Sequence, residues 1–246
     1  MSRDCLVNTG EIENAVMRVS DYVDNNHKEQ INWNNFSEEQ LWKGLVSCIL
    51  GSRVRFETAS ACVQHLFQIG LLNPLRIIKE PKKSERLLEK ELSMPIFPPF
   101  NGNRGRRYRY SKSKASYIVR TALKIYKENN SNLKSLLIEC SDEYEARNVI
   151  VDNAVGIGYK QASLFLTNIY YSENLAILDS HVIRYMILLR MVTNDLRLEM
   201  SNKKTYVSLE EQLQNYATLN GKSLSTLDIA IWVVMRLVQK EYLIWE

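Results

Sequence analysis

Apolar side chains recur every three to four positions along most of the chain, and no two-residue alternation runs long enough to build a sheet. In SEEQLWKGLVSCILG, positions 37–51, Leu41, Trp42, Leu45, Val46 and Ile49 line one helical face. Ser37 and Gln40 form a capping-box pair ahead of them, and Gly51 can stop the helix. A second helix is expected over roughly 56–69, ending at Gly70. From Ser113 onward Ala115, Ile118, Val119, Ala122, Leu123 and Tyr126 keep helical spacing, and Ser141, Asp142 and Glu143 predict the start of the next helix. All five prolines fall between positions 74 and 99, and the chain after them has long stretches with neither proline nor glycine, so long helices are favoured there. The segment MPIFPPFNGNRGRR, Met94 to Arg107, reads as an irregular linker, because proline removes donors and glycine loosens the backbone. The pattern is that of an all-α protein.

One stretch interrupts it. From residue 106 to the C-terminus there are three glycines, and Gly156 and Gly158 are two of them, within AVGIGYKQASLF at 154–165. Val149, Ile150, Ala154 and Val155 are apolar at helical spacing, Gly156-Ile157-Gly158 breaks the run, and YKQASLFLTNIY starts another helix. The result is a helix-hairpin-helix over about 149–170. Glycine permits a sharp turn and close backbone approach, and the free N–H groups of the following helix favour a phosphate. A nucleic-acid backbone is the natural guest; a tight turn between packed helices with no ligand is the plainer alternative. Lys160 falls in the first turn of the second helix, where the positive end of the dipole disfavours the protonated amine and so favours a nucleophile. Nineteen residues later LAILDSHVIRYM places Asp179 after an apolar run and before another helix, as an ordinary N-cap or as a working carboxylate.

Composition adds limits. The 246 residues are 45% hydrophobic and 24% charged, a globular balance that allows one domain or two lobes sharing a cleft. The net charge of +4 is mild, but Arg104, Arg106, Arg107, Arg109, Lys112 and Lys114 cluster in one run. Tyr108 and Tyr110 interleave with it, a combination suited to phosphates and bases. The N-terminus has no apolar signal core and no span of about 18 uncharged apolar residues occurs, so a cytoplasmic or nucleoid protein is expected, neither secreted nor membrane-spanning. Cys5, Cys48, Cys62 and Cys140 form no CxxC pair, and His27, His65 and His181 share no ligand spacing, so no metal is assigned.

The pairing of GIGYKQASLFLTNI with LAILDSHVIRYM resembles the helix-hairpin-helix (HhH-GPD) DNA glycosylase superfamily, and most closely the archaeal-type 8-oxoguanine DNA glycosylase/AP lyases. RYRYSKSKASYIV and STLDIAIWVVM are similar to further segments of that family, and LVSCILGSRVRFETA to the superfamily's helix-turn-helix entry. The resemblance implies two helical lobes with a central cleft: 1–35 plus 187–246 in one, 36–186 with the hairpin in the other. It also implies a bifunctional base excision repair enzyme, in which Lys160 forms a Schiff base while removing 8-oxoguanine and β-elimination then cuts the strand, with Asp179 assisting. Gly156, Ile157, Gly158 and the basic run would hold duplex DNA containing a damaged base; Tyr110 and Trp232 would flank the extruded purine, and Asp228 would hydrogen-bond it. A monomer is expected, with no cofactor beyond a monovalent cation that the hairpin carbonyls could hold. No cysteine lies beyond Cys140, unlike the iron–sulfur relatives of endonuclease III, and Lys160 separates the chain from alkylpurine glycosylases, which keep the aspartate alone. An endonuclease III-like oxidised-pyrimidine glycosylase lacking the cluster, and a non-catalytic DNA-binding module, remain as alternative readings.

Overall fold

A computed structural model describes residues 8–26, 32–96, 106–192 and 202–242. Contacts divide the chain into two units, 32–169 and 1–31 with 170–246. The described residues are predominantly helical.

The 32–169 unit is organised around α2 (Glu38–Gly51), which packs against α3 (Phe56–Gln68), α6 (Ser111–Ala122), α7 (Leu133–Ile138) and α9 (Tyr159–Asn168). Its capping box forms as the sequence predicts, with Ser37 Oγ accepting from Gln40 N and Gln40 Oε1 from Ser37 N. Leu41, Trp42, Leu45, Val46 and Ile49 are buried, and Trp42 Nε1 donates to the Leu72 carbonyl at 2.6 Å. Glu38, in the first turn of α2, also serves α7: its carboxylate accepts from Tyr126 Oη at 2.6 Å and from the N–H groups of Leu133 and Lys134 at 2.9 and 3.0 Å. α3 ends before Gly70, whose φ of +68° carries the turn. Pro74 and Pro81 do not disrupt helix; each opens one, α4 (Pro74–Lys79) and α5 (Pro81–Ser93), where a missing N–H costs nothing. The expected linker contains a short antiparallel pairing of β1 (Pro95–Ile96) with β2 (Arg106–Arg107); residues 97–105 lie outside the described residues. α6 continues into a π-helical turn at Leu123–Glu128, and Asp142 caps α8 (Glu143–Asn153).

The other unit pairs α1 (Thr9–Asn26) along α12 (Leu224–Tyr242), with α10 (Ser180–Leu188) and α11 (Lys203–Leu219) against α12. Lys222 Nζ bridges Asp21 and Asp24 at 2.7 and 2.6 Å, and Thr226 Oγ1 donates to Asp24 at 2.8 Å. Tyr216 Oη donates to Glu13 at 2.8 Å. The boundary therefore falls at 169/170, where the sequence suggested 186/187. The reason is local: Val182, Ile183, Tyr185 and Met186 bury one face of α10 within this unit, and Ala176 is hydrogen-bonded to α11.

Candidate active site

Two helix entries carry the candidate chemistry. At the first, α8 ends at Asn153 and the turn reverses through Gly156, whose φ is +78°. Glycine is required there twice over: the backbone is left-handed, and an added Cβ would sit 2.5 Å from Tyr117 Cε2. Val155 N–H donates to Thr121 Oγ1 at 2.9 Å, so α6 supports the turn with one hydroxyl and one ring. Ile157 differs from its expected role, because its side chain is buried and its N–H already donates to the Ala154 carbonyl at 3.2 Å. Gly158 is a different case from Gly156: its backbone is extended, and a Cβ would meet nothing within 4 Å. It caps α9 without a side-chain acceptor, leaving the first-turn N–H groups uncapped beside an open approach.

Lys160 sits in that first turn, half-buried. Among the described residues its ammonium has no ion pair and no side-chain hydrogen bond. Burial pushes the Cys48 thiol of α2 up to about 12, against the opposing pull of the nearby Lys160. Beneath the turn lies Arg147 of α8, 2% exposed, its guanidinium 5.5 and 5.4 Å from the Tyr144 and Tyr159 rings and its Nη1 3.3 Å from Ser163 Oγ. This buried cation ties α8 to the first two turns of α9.

At the second entry Asp179 caps α10, its Oδ1 accepting from His181 N at 2.7 Å and Val182 N at 3.0 Å. The cap and the working carboxylate need not compete, since Oδ2 takes no part in the cap.

The basic run is split by the fold. Arg107, Arg109 and Lys112 are exposed, Arg106 is described by its backbone alone, and Arg104 lies outside the described residues. Lys114 departs from the expected surface face: it is 6% exposed, its Nζ is 5.5 Å from the Tyr117 ring, and burial together with Arg53 lowers its pKa. Tyr108 is also structural, buried with its hydroxyl donating to the Leu50 carbonyl, and burial pushes its pKa up. Tyr110 stays partly open at the start of α6, with Arg109 5.8 Å from its ring. In the other unit Asp228, Trp232 and Arg236 follow one another at four-residue steps on α12; Trp232 is 41% exposed and Arg236 lies 4.8 Å over its ring. Trp232 is thus not core, and Asp228 lies a turn inside the helix, where Ser223 Oγ accepts from Thr226 N at 3.2 Å at its start. Among the described residues no cluster of three or more His, Cys, Asp or Glu could hold a metal, and no helix is long and apolar enough to cross a membrane.

A family model described as 8-oxoguanine DNA glycosylase matches residues 102–221, a span that holds both helix entries. The 8-oxoguanine DNA glycosylase/AP lyase of Sulfurisphaera tokodaii is 30% identical over 207 residues, covering 83% of this chain and 86% of that protein. The chain belongs to the 8-oxoguanine DNA glycosylase family. Solved members share its architecture: the Thermotoga maritima enzyme superposes with a TM-score of 0.65 at 26% identity, over 92% of this chain and 94% of that one. The Methanocaldococcus jannaschii 8-oxoguanine glycosylase/lyase, crystallised with a 15mer DNA containing 8-oxoguanine, matches at 0.63 and 25% identity, over 92% and 94%. Set against the family, the supports beneath the hairpin were not anticipated from the sequence. Tyr117 and Thr121 lie on α6 and Arg147 within α8, and none of the three was singled out by its sequence pattern.

Proposed function

We infer that the protein is a bifunctional 8-oxoguanine DNA glycosylase/AP lyase. What most supports the assignment of its nucleophile is a lysine in the first turn of an uncapped helix, with no counter-ion among the described residues. A damaged base leaves the stack at a cost of a few kcal/mol, less for a poorly paired lesion. The neutral amine of Lys160 attacks C1′ of the sugar, the glycosidic bond breaks, and the base departs with its electron pair and gains a proton. The C1′–O4′ bond of the sugar ring then breaks, O4′ takes a proton, and the amine loses its own protons as the imine forms. Removal of a C2′ proton then expels the 3′ phosphate by β-elimination. Asp179 stabilises positive charge developing on the sugar or assists the proton transfers, a role open to its uncapped oxygen.

Gly158 and the N–H groups that follow hold a phosphate, and Gly156 shapes the turn that presents them. Arg104, Arg106, Arg107, Arg109 and Lys112 add phosphate contacts, with Lys114 reaching the same strand from beneath. Tyr110 and Trp232 flank the purine and Asp228 hydrogen-bonds it; the arginine-backed, exposed Trp232 suits a stacking surface. The enzyme acts as a monomer on duplex DNA in the cytoplasm or nucleoid, without an iron–sulfur cluster, and the hairpin carbonyls are where a monovalent cation would bind. Borohydride trapping tests this on duplexes carrying 8-oxoguanine, thymine glycol, uracil or an abasic site. An adduct on 8-oxoguanine that Lys160→Gln abolishes is the expected result. An adduct on thymine glycol alone would move the protein to the pyrimidine branch, and none on any duplex would leave a binding module.

A further inference from the structure

The segment Leu175–Leu178 that delivers Asp179 is buried throughout yet has no regular backbone structure. Buried irregular backbone must find hydrogen-bond partners elsewhere. Here α11 supplies partners for both backbone groups of one residue, Ala176. Glu210, 3% exposed, accepts from Ala176 N–H through Oε1 at 2.9 Å, and Tyr206, also buried, donates its hydroxyl to the Ala176 carbonyl at 2.6 Å. These residues stand four apart on one face of α11 and grip Ala176 from both sides. Three residues on, Asp179 N–H closes a tight turn onto the Ile177 carbonyl at 2.6 Å, and its Oδ1 caps α10. A buried carboxylate is costly to desolvate, and this one is placed at the root of the residue the reaction needs.

We propose that Glu210 and Tyr206 are positioning residues that set the location of the Asp179 carboxylate through the backbone of Ala176. The proposal rests on Asp179 acting in the reaction. With Glu210 replaced by an apolar side chain, the Ala176 N–H seeks another acceptor, the segment shifts, and Oδ2 moves while the hairpin unit is untouched. A displacement near 1 Å costs on the order of 100-fold in rate. The amide of Glu210→Gln still offers an oxygen to Ala176, so it rescues most of the loss.

The test is single-turnover excision of 8-oxoguanine by Asp179→Asn, Glu210→Leu, Glu210→Gln, Tyr206→Phe and the double variant Glu210→Leu/Asp179→Asn, with thermal unfolding and affinity for uncleavable duplex measured alongside. Glu210→Leu should slow excision about 10- to 100-fold with affinity held within a few-fold, Glu210→Gln should stay close to wild type, and the double variant should be no slower than Asp179→Asn. Full additivity in the double variant, or a Gln variant as slow as Leu, overturns the positioning role. If Glu210→Leu does not fold, Tyr206→Phe in the Asp179→Asn background decides by the same non-additivity. An Asp179→Asn enzyme that excises normally would instead bring down the assignment of Asp179, an outcome distinct from additivity.

Discussion

The starts of α9 and α10 are built oppositely. α10 is capped by a side chain: Asp179 consumes the N–H groups of His181 and Val182 with one oxygen and keeps the other. α9 is capped by Gly158, which has no side chain to spend, so its first-turn N–H groups stay available, and the second residue of that turn is Lys160. One entry is closed and presents a carboxylate; the other is open and presents an amine. A helix terminus can thus be a filled structural joint or an anion seat, and the residue at the cap decides which. The supports are alike, since side chains from a neighbouring helix hold the approach to each entry, Thr121 and Tyr117 for one and Tyr206 and Glu210 for the other.

The largest effect should come from the open entry. Lys160→Gln keeps a long polar side chain and a good helix former at the position but has no amine, so imine trapping should fall to background while duplex binding persists. Trapping that survives would place the nucleophile elsewhere. At the closed entry Asp179→Asn is the cleaner probe, because asparagine caps helices as well as aspartate. Thermal stability should hardly move while excision slows by roughly 100- to 10,000-fold. A large stability loss with little change in rate would make Asp179 a cap alone.

The two glycines sharpen the contrast next. Alanine at Gly156 must adopt φ near +78° and displace the Tyr117 ring, so it should cost about 1–3 kcal/mol and melt early. Alanine at Gly158 meets open space in an extended backbone and should cost under about 1 kcal/mol, yet its methyl group would stand in the way of the phosphate proposed for this entry. Gly158→Ala should therefore lose more DNA affinity than stability, and Gly156→Ala the reverse. Equal effects in both assays would mean that the α9 entry seats no phosphate.

Much of this was legible in the residues. The capping box at Ser37, the glycine stop at Gly70, the cap at Asp142 and the whole hairpin follow from local chemistry, and local chemistry is what a sequence displays. What it hid was tertiary. Tyr108 sits between two exposed arginines in sequence, yet its hydroxyl is 58 residues away on Leu50, a pairing no spacing rule can reveal. The boundary at 169/170 was hidden for the same reason: Ala176 owes its place to α11, 30 and 34 residues downstream. Side chains that act by gripping another segment's backbone leave no periodic signal.

Lys114 gives the smallest and most discriminating test, because the DNA contact proposed for it would come at a cost to the fold. A lysine nine-tenths buried over Tyr117, with Arg53 nearby, is held charged against its surroundings, and its pKa is lowered. Between that lowered value and the ordinary lysine value near about 10.4, the unfolded chain binds more protons than the folded one, so this group's contribution to stability rises with pH across that interval. Below it the penalty is full. Lys114→Met should accordingly be more stable than wild type at neutral pH, with the advantage shrinking as pH climbs through the interval, as paired melts would show. The same variant should bind duplex more weakly, and the slope of log affinity against log salt should flatten by about one phosphate contact. A gain in stability joined to that flatter slope identifies a cation kept for DNA; lower stability with an unchanged slope would show that Lys114 is there for packing, its stem covering Tyr117 and its charge merely tolerated.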